Sequence, residues 1–277
     1  MIRLGEKQTL HILKQKTFGA YLGTDDHKDD GILLPIKQVP EGAELGDALE
    51  VFIYRDSMDR LIATTKTPKI KLGEIALLEV KQITEIGAFL DWGLEKDLLL
   101  PFKEQTTEIE EGKSYLVALY IDKSERLCAT MKIYDYLTTS HDYKKDDRVS
   151  GYVYQINKNF GAFVAVDYKF HGLIAKHELP SGIVLGTVVE ARVVAIREDG
   201  KMELSLREKI GQQIDIDAKK ILDILDSYAG VLPFTEKASP EVINRETGLS
   251  KASFKRAVGR LLKNREIEII NGKIKKS

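Results

Sequence analysis

The sequence predicts a mainly β protein in which three five-stranded barrels in tandem precede a small α+β domain. Three observations support this fold class: a motif that occurs three times, strand-like runs that flank each copy, and a change of apolar period from two to 3.6 residues after Ile214. We expect barrels at residues 1–67, 68–140 and 145–210, and the last domain at residues 214–277.

The repeated motif consists of an aromatic or apolar residue, Gly, Ala and a second aromatic residue. Its copies are Phe18-Gly-Ala-Tyr21, Ile86-Gly-Ala-Phe89 and Phe160-Gly-Ala-Phe163, and their glycines lie 68 and 74 residues apart. Glycine at a fixed place in a strand is typical of a tight bend where a larger side chain would clash.

Strand-like runs surround each copy in the same order. A first strand precedes the motif at residues 8–13, 74–83 and 151–156, the motif lies in a second strand, and a short apolar third strand follows. Two closing strands complete each unit, the last of which alternates apolar and polar residues from Met202 to Arg207. Five short strands usually close into a barrel, which removes exposed sheet edges.

The third copy resembles the RNA-binding domain first known from ribosomal protein S1. The resemblance rests on Phe-Gly-Ala-Phe-Val from Phe160, Gly-Leu-Ile from Gly172, and Met-Glu-Leu-Ser-Leu-Arg from Met202. That domain is an oligonucleotide-binding (OB) barrel, and the first two copies are similar but more divergent.

Two helices are predicted first in the last domain. Residues 218–227 have apolar positions on one helical face. A second helix begins at Ser239-Pro240, a preferred N-cap followed by proline, and ends at Thr247-Gly248.

A third helix and a hairpin complete the domain. Ser250 is the expected N-cap, and the turn dipeptide Asn271-Gly272 predicts the hairpin. The expected buried stripe of the helix consists of Phe254, Val258, Leu261 and Leu262.

Three helices and a hairpin resemble a winged helix, with the third helix as recognition helix and Asn271-Gly272 at the tip of the wing. Three S1-type barrels followed by a winged helix resemble the conserved virulence factor B family of Gram-positive bacteria, over essentially the whole chain. This resemblance implies a role in the control of gene expression, including virulence genes in pathogens.

Charge is distributed unevenly along the chain. The 42 Lys and Arg residues nearly balance the 43 Asp and Glu residues, but residues 68–140 have a net charge of −4 and residues 212–277 of +4. Residues 251–277 alone have a net charge of +7. Because binding to a phosphate backbone needs local positive charge, we expect the nucleic-acid surface on the third barrel and the winged helix.

The resemblance and the charge pattern together give the candidate RNA-binding residues. In the third barrel, Phe160 and Phe163 are the stacking candidates, although either could belong to the core, and Lys201 matches a basic contact of the domain type. His171 is out of register with a histidine common in the family, and either substitutes for it or is merely exposed. The other candidates are Lys158 and Arg207 in the third barrel, Lys16, Phe18, Tyr21 and Arg60 in the first, and Lys251, Lys255, Arg256, Arg260 and Lys263 on the third helix.

Several function classes lack support in the sequence. There is no long apolar run, secretory signal or catalytic motif, the five histidines lack metal-ligand spacing, and the single Cys128 reads as a buried thiol. The acidic residues at 25–30 are expected to lie in a solvated loop. We therefore expect a cytoplasmic, monomeric, non-catalytic protein without cofactor or metal.

Single-stranded RNA is the expected partner, free or in ribosome or mRNA complexes, with a function in post-transcriptional regulation. One alternative is a regulator that binds duplex DNA through the third helix. Another is a ribosome-associated or protein-interaction adaptor, in which the acidic second barrel contacts a partner.

Overall fold

The computed structural model describes residues 2–24, 31–180, 182–207 and 210–277, so the predicted acidic loop at 25–30 lies outside the described residues. The chain divides into two compact units, Met1–Ser205 and Leu206–Ser277. The first unit contains three five-stranded sheets and the second contains three helices and a small sheet, which confirms the predicted fold class.

The first and third sheets are closed barrels. The first has the order β1-β2-β3-β5-β4 and the third the order β11-β12-β13-β15-β14. Parallel pairing closes both barrels, between β3 and β5 and between β13 and β15. The strands are β1 Lys7–Lys16, β2 Gly19–Gly23, β3 Ile32–Pro35, β4 Ala48–Arg55 and β5 Leu61–Thr64, and β11 Arg148–Asn157, β12 Gly161–Val166, β13 Phe170–Ala175, β14 Val188–Ile196 and β15 Met202–Ser205.

The second sheet has the same strand order but is not fully closed. Within the described residues, β8 and β10 form the two edges and share no hydrogen-bonded ladder. Its strands are β6 Ile75–Thr84, β7 Gly87–Asp91, β8 Leu98–Pro101, β9 Ser114–Ile121 and β10 Leu127–Thr130.

The motif glycine has the same structural role in all three barrels. Gly19, Gly87 and Gly161 have positive φ angles of 157°, 145° and 122°. A Cβ at Gly161 would overlap the carbonyl oxygen of Ile174, and the other two glycines have the same relationship to their neighbouring strands. The bend therefore requires glycine both for its backbone angle and for the close approach of the next strand.

Neighbouring barrels share buried side chains. In β4, Val51 and Ile53 face the core of the first barrel, whereas Phe52 and Tyr54 face the second barrel and contact Trp92 at ring-centroid distances of 5.9 and 6.2 Å. Because successive strand residues point to opposite faces, a strand between two barrels serves both cores.

The junction between the second and third barrels is built in the same way. Tyr152 and Tyr154 of β11 lie in one buried cluster with Leu116 of β9 and with Ile133 from the connecting segment. An isolated barrel of this size buries only about 60% of the surface that its unfolded chain exposes, so this sharing adds apolar burial that each would otherwise lack.

The second unit contains three helices and a three-stranded sheet of order β16-β18-β17. The predicted caps of the second and third helices are confirmed: Ser239 and Ser250 accept hydrogen bonds from the N–H groups of Val242 and Ser253. The elements are α1 Ile210–Ser227, β16 Val231–Leu232, α2 Pro240–Thr247, α3 Lys251–Lys263, β17 Ile267–Ile270 and β18 Lys273–Lys276.

Two predictions in this unit were wrong in detail. Helix α1 begins at Ile210, eight residues before the predicted start. Leu262, predicted to be buried, is 38% exposed, and Ala257 is buried in the core instead. Leu262 lies about 80° around the helix from Phe254, at the edge of the buried face, whereas the small Ala257 allows close packing.

Candidate nucleic-acid interface

A cavity of about 170 Å³ opens on the third barrel where β12, β13 and β15 meet. We call it the third-barrel cleft. The structure brings three of the predicted residues together in it, Phe163, His171 and Lys201. Arg197, Leu173 and Tyr134 also line it.

Three ring side chains form one wall of the cleft. The ring of Tyr134 lies 4.7 Å from that of His171 and 6.3 Å from that of Phe163, both in edge-to-face arrangements. Such arrangements are favourable because a positive ring edge meets a negative ring face. The rings therefore support one another while leaving the exposed part of Tyr134 available for stacking.

Lys201 places a positive charge beside these rings. Its Nζ lies 5.6 Å from the centre of the Tyr134 ring and 3.0 Å from Oδ2 of Asp199. The hydrogen bond to Asp199, and then the one to Tyr134, raises the pKa of Lys201, so the ammonium stays charged. A cation at the edge of an aromatic wall suits a phosphate whose base stacks on that wall.

His171 is a neutral group in this cleft. Burial, followed by the charge of Lys201, lowers the pKa of its imidazole from the usual 6.5. Only 8% of the residue is exposed, which excludes one of the two alternatives for His171, that it is merely exposed. His171 and Leu173 point to the same face of β13, where both line the cleft, and the imidazole contacts the Tyr134 ring.

The two motif aromatics differ in position. Phe160 is 62% exposed in the turn between β11 and β12, where its N–H and that of Asn159 donate to Oδ1 of Asn157. Phe163 is half-buried and packs between Tyr134 and Tyr154. Neither is a fully buried core residue, and only Phe163 lines the cleft.

The remaining third-barrel candidates lie outside the cleft. Lys158 is exposed in the same turn as Phe160, and Arg207 is exposed just after β15. Neither is among the residues that line the cavity.

Sequence reasoning missed Tyr134. It lies in a 3-10 turn, Tyr134–Tyr136, between the second and third barrels and outside the repeat. The only signal available was an aromatic residue in a connecting segment, and nothing in the repeat predicts that this segment folds back onto β13.

The first barrel has a weaker version of the same face. Phe18 is exposed and meets Tyr21 edge to face at 6.2 Å, and Lys16 is exposed at the end of β1. Arg60, at the position of Lys201, is paired with Asp56 at 2.8 Å. Lys201 is paired in the same way with Asp199, so the ion pair does not distinguish the two barrels. The difference is that Gly31 occupies the position of His171 in the first barrel, so this face lacks the imidazole ring.

The second barrel uses the corresponding face for internal contacts. Arg126, at the position of Lys201, pairs with Asp59 of the first barrel at 3.3 Å. Asp97 corresponds to His171 and pairs with Lys81 at 2.8 Å. These acidic partners neutralise the basic residues of the face, which makes it the weakest of the three for binding phosphates.

Helix α3 of the second unit presents its candidate residues to solvent. Its core face holds Phe254, Val258 and Leu261, and Arg260 on the outer face pairs with Asp215 of α1 at 2.8 Å. The exposed candidates are Lys251, Lys255, Arg256, Arg260 and Lys263.

Other chemistry has little support in the described part of the chain. Residues 2–24, 31–180, 182–207 and 210–277 contain no group of three or more His, Cys, Asp or Glu side chains that could hold a metal ion. Cys128 is buried in β10, as expected, and burial raises the pKa of its thiol to about 11. Over those residues, no helix has the length and apolar character needed to cross a bilayer.

Three domain families match the chain along its length. The S1 domain matches residues 4–66 and 72–132. The second domain of virulence regulatory factor CvfB matches residues 135–208, and the CvfB-like winged helix domain matches residues 219–275. Fold and matches together define a protein with tandem S1-type barrels and a winged helix.

Similar proteins extend over nearly all of the chain. The uncharacterized protein YitL of Bacillus subtilis is 32% identical over 98% of this chain and 93% of its own length. Conserved virulence factor B of Staphylococcus saprophyticus is 29% identical over 83% of this chain and 80% of its own length. The chain belongs to the conserved virulence factor B family.

The fold is also similar to that of a protein of known structure. The similar chain comes from a crystal structure of a multidomain protein with nucleic acid binding domains from Streptococcus pneumoniae, and it is 23% identical, with a TM-score of 0.51. The alignment covers 99% of this chain and 98% of that one.

Proposed function

We propose that this protein is a non-catalytic RNA-binding regulator that acts after transcription, in the cytoplasm. It binds single-stranded RNA through the third-barrel cleft and Phe160, and contacts phosphates through the basic face of α3. The observation that carries the proposal is the convergence of Tyr134, Phe163, His171 and Lys201 in one cleft.

The chemistry of this cleft matches that of a nucleotide. The rings offer a surface on which a base stacks, and each stacked base contributes on the order of 1–3 kcal/mol. Lys201 is positioned for the adjacent phosphate, while the neutral His171 can form a hydrogen bond with a base or ribose without adding charge.

The names of the similar proteins agree with part of this proposal. Relatives are named virulence factors, and the protein of similar fold is described as having nucleic acid binding domains. S1-type barrels and a winged helix together suggest a regulator that binds nucleic acid, and the choice of RNA rests on the cleft.

Fluorescence anisotropy of the full-length protein tests the proposal. Labelled single-stranded RNA and labelled duplex DNA of equal length are titrated at two salt concentrations. We expect RNA to bind more tightly, with affinity that falls as salt rises because phosphate contacts release counterions. Absence of binding to single-stranded RNA at low salt contradicts the proposal.

The second candidate is a regulator that binds duplex DNA, which the exposed basic face of α3 favours. In that case, the protein binds duplex DNA with sequence dependence, and this binding persists at higher salt. The substitution Lys255→Gln then weakens duplex binding more than single-stranded binding.

A further inference from the structure

A groove lies between the second and third barrels, within the first unit. It consists of a cavity of about 480 Å³ and an adjoining cavity of about 360 Å³. Thr106, Met131, Tyr154 and Leu185 line both cavities, so the two form one continuous depression, which we call the inter-barrel groove.

The inter-barrel groove is continuous with the third-barrel cleft. Tyr134 lines both the smaller of the two groove cavities and the cleft. A nucleic-acid strand that places a base beside Tyr134 in the cleft therefore has a direct route into the groove. This continuity selects a nucleic-acid strand as the occupant.

Tyr154, which lines both cavities of this groove, has an unused hydrogen-bonding group. Its ring packs in the shared core, and its hydroxyl is buried with no hydrogen-bond partner in the described part of the chain. Burial raises the pKa of Tyr154, so the hydroxyl stays protonated and can both donate and accept. An unpaired buried hydroxyl is unfavourable, and a ligand that supplies a partner removes that penalty.

The walls of the groove suit a nucleobase better than a phosphate. Met131, Tyr115 and Tyr152 provide apolar and aromatic surface, and threonine and serine hydroxyls provide polar groups around it. The one lysine of the larger cavity, Lys113, is paired with Glu110 at 2.6 Å. With its lysine neutralised, that part of the groove favours a flat, uncharged group with polar edges.

We propose that the inter-barrel groove is a second nucleotide subsite, in which a base of the bound single-stranded RNA forms a hydrogen bond with Oη of Tyr154. The neighbouring nucleotides of the same strand occupy the third-barrel cleft, and Tyr134 lies between the two subsites. This inference rests on the proposed function, because the groove adds to a strand already held in the cleft.

The test compares two lengths of single-stranded RNA on the full-length protein. Labelled oligonucleotides of about four and about twelve nucleotides fall within the range of site sizes known for single OB folds, about 4–16 nucleotides. Only the longer one can fill both the cleft and the groove, so we expect it to bind more tightly.

Tyr154→Phe removes only the unpaired hydroxyl. We expect it to weaken binding of the longer RNA about fivefold, the effect of one hydrogen bond, and to leave the shorter RNA unaffected. Tyr120→Phe is the matched control, because its hydroxyl is also buried without a partner in the described residues but lies outside the groove. Equal effects of the two substitutions on the longer RNA overturn the inference.

A second pair of variants tests the groove without changing the core. One variant places a charge at the groove, and the other is its control outside the groove. Val184 lines the groove and is 61% exposed, whereas Val188 is 56% exposed and does not line it. Val184→Glu places a negative charge at the groove and should reduce the advantage of the longer RNA, which Val188→Glu should preserve. An unchanged length advantage in Val184→Glu also overturns the inference.

The results separate failure of the groove from failure of the proposed function. If the shorter RNA binds and depends on Phe163 while the longer RNA ignores Tyr154→Phe and Val184→Glu, the subsite is refuted and the proposed function stands. If neither RNA binds to the unmodified protein, the proposed function fails and the subsite fails with it.

Discussion

Lys201 Nζ lies 5.6 Å from the centre of the Tyr134 ring, so the last turn of the third barrel contacts the segment that enters that barrel. Such a cation–π contact stabilises by about 0.5–1 kcal/mol at an exposed site. It joins a residue inside the repeat to one outside it, and both face the same cleft. The cleft therefore depends on the connection between two barrels as well as on one barrel.

The motif aromatics should carry much of the RNA affinity. We expect the double substitution Phe160→Ala and Phe163→Ala to weaken binding of single-stranded RNA more than tenfold, because stacking surfaces are lost. Anisotropy measures the affinity, and circular dichroism checks that the variant is folded. Phe102→Ala is the control, since Phe102 is exposed in the second barrel and does not line the cleft. Unchanged affinity in the folded double variant refutes the stacking role.

Tyr134 should contribute to binding although it lies outside the repeat. Tyr134→Ala removes the ring that contacts Phe163, His171 and Lys201, and we expect RNA affinity to fall about threefold to tenfold. Tyr134→Phe keeps the ring and should retain most of the affinity. If the Ala and Phe variants bind RNA equally well, the ring has no role in binding.

Lys201 should act as a phosphate contact. We expect Lys201→Gln to reduce the slope of log affinity against log salt concentration by about one, since one phosphate contact is lost. The matched control is Lys169→Gln, because Lys169 lies 5.3 Å from the Phe170 ring in a similar cation–π contact outside the cleft. An identical salt slope in both variants would argue against a phosphate at this position.

His171 should make stability depend on pH. Its folded-state pKa is lowered below the usual 6.5, so the unfolded chain binds the proton more readily than the folded one. The stability that the neutral imidazole provides is therefore present above about pH 6.5 and is lost as the pH falls through the folded pKa.

Urea unfolding of the protein and of His171→Gln at several pH values measures this effect. As the pH falls, the free energy of unfolding should decrease more for the unmodified protein than for His171→Gln. His177→Gln, at an exposed histidine, serves as control. A difference that stays constant between neutral and acidic pH contradicts the assignment.

The motif glycine of the third barrel should be essential for stability. Gly161→Ala combines a positive φ of 122° with overlap between the new Cβ and the carbonyl oxygen of Ile174. We expect the free energy of unfolding to fall by about 2–4 kcal/mol. Gly259→Ala is a useful contrast, because Gly259 lies within α3 and a Cβ added there would have no atom within 4 Å. We expect this variant to be more stable than the unmodified protein by up to about 1 kcal/mol. Similar thermal stability of Gly161→Ala and the unmodified protein would contradict this account.

Features governed by neighbouring residues could be predicted from the sequence. The caps at Ser239 and Ser250 and the turn at Asn271-Gly272 follow from local hydrogen bonding and backbone preference, and all three are present. The barrel repeat was also predictable, because three copies report the same alternation and the same glycine. Three of the six third-barrel candidates, Phe163, His171 and Lys201, line one cleft, and their role in binding stays a prediction.

Contacts between distant segments could not be predicted in the same way. Tyr134 reaches the cleft because a connecting segment folds back on β13, and no periodic pattern encodes that path. Similarly, the pairing of Arg126 with Asp59 joins two barrels whose relative position the sequence does not reveal. Leu262 was misplaced because helical angle alone cannot tell a core position from the edge of the core.

The side chains of Phe52 and Tyr54 have a consequence for how this protein can change over evolution. Both belong to a strand of the first barrel, yet they complete the core of the second around Trp92. A gene rearrangement that removed or exchanged the first barrel alone would leave a cavity in its neighbour. The first two barrels have the same strand order, yet they are not interchangeable modules, because the core of one is completed by the other.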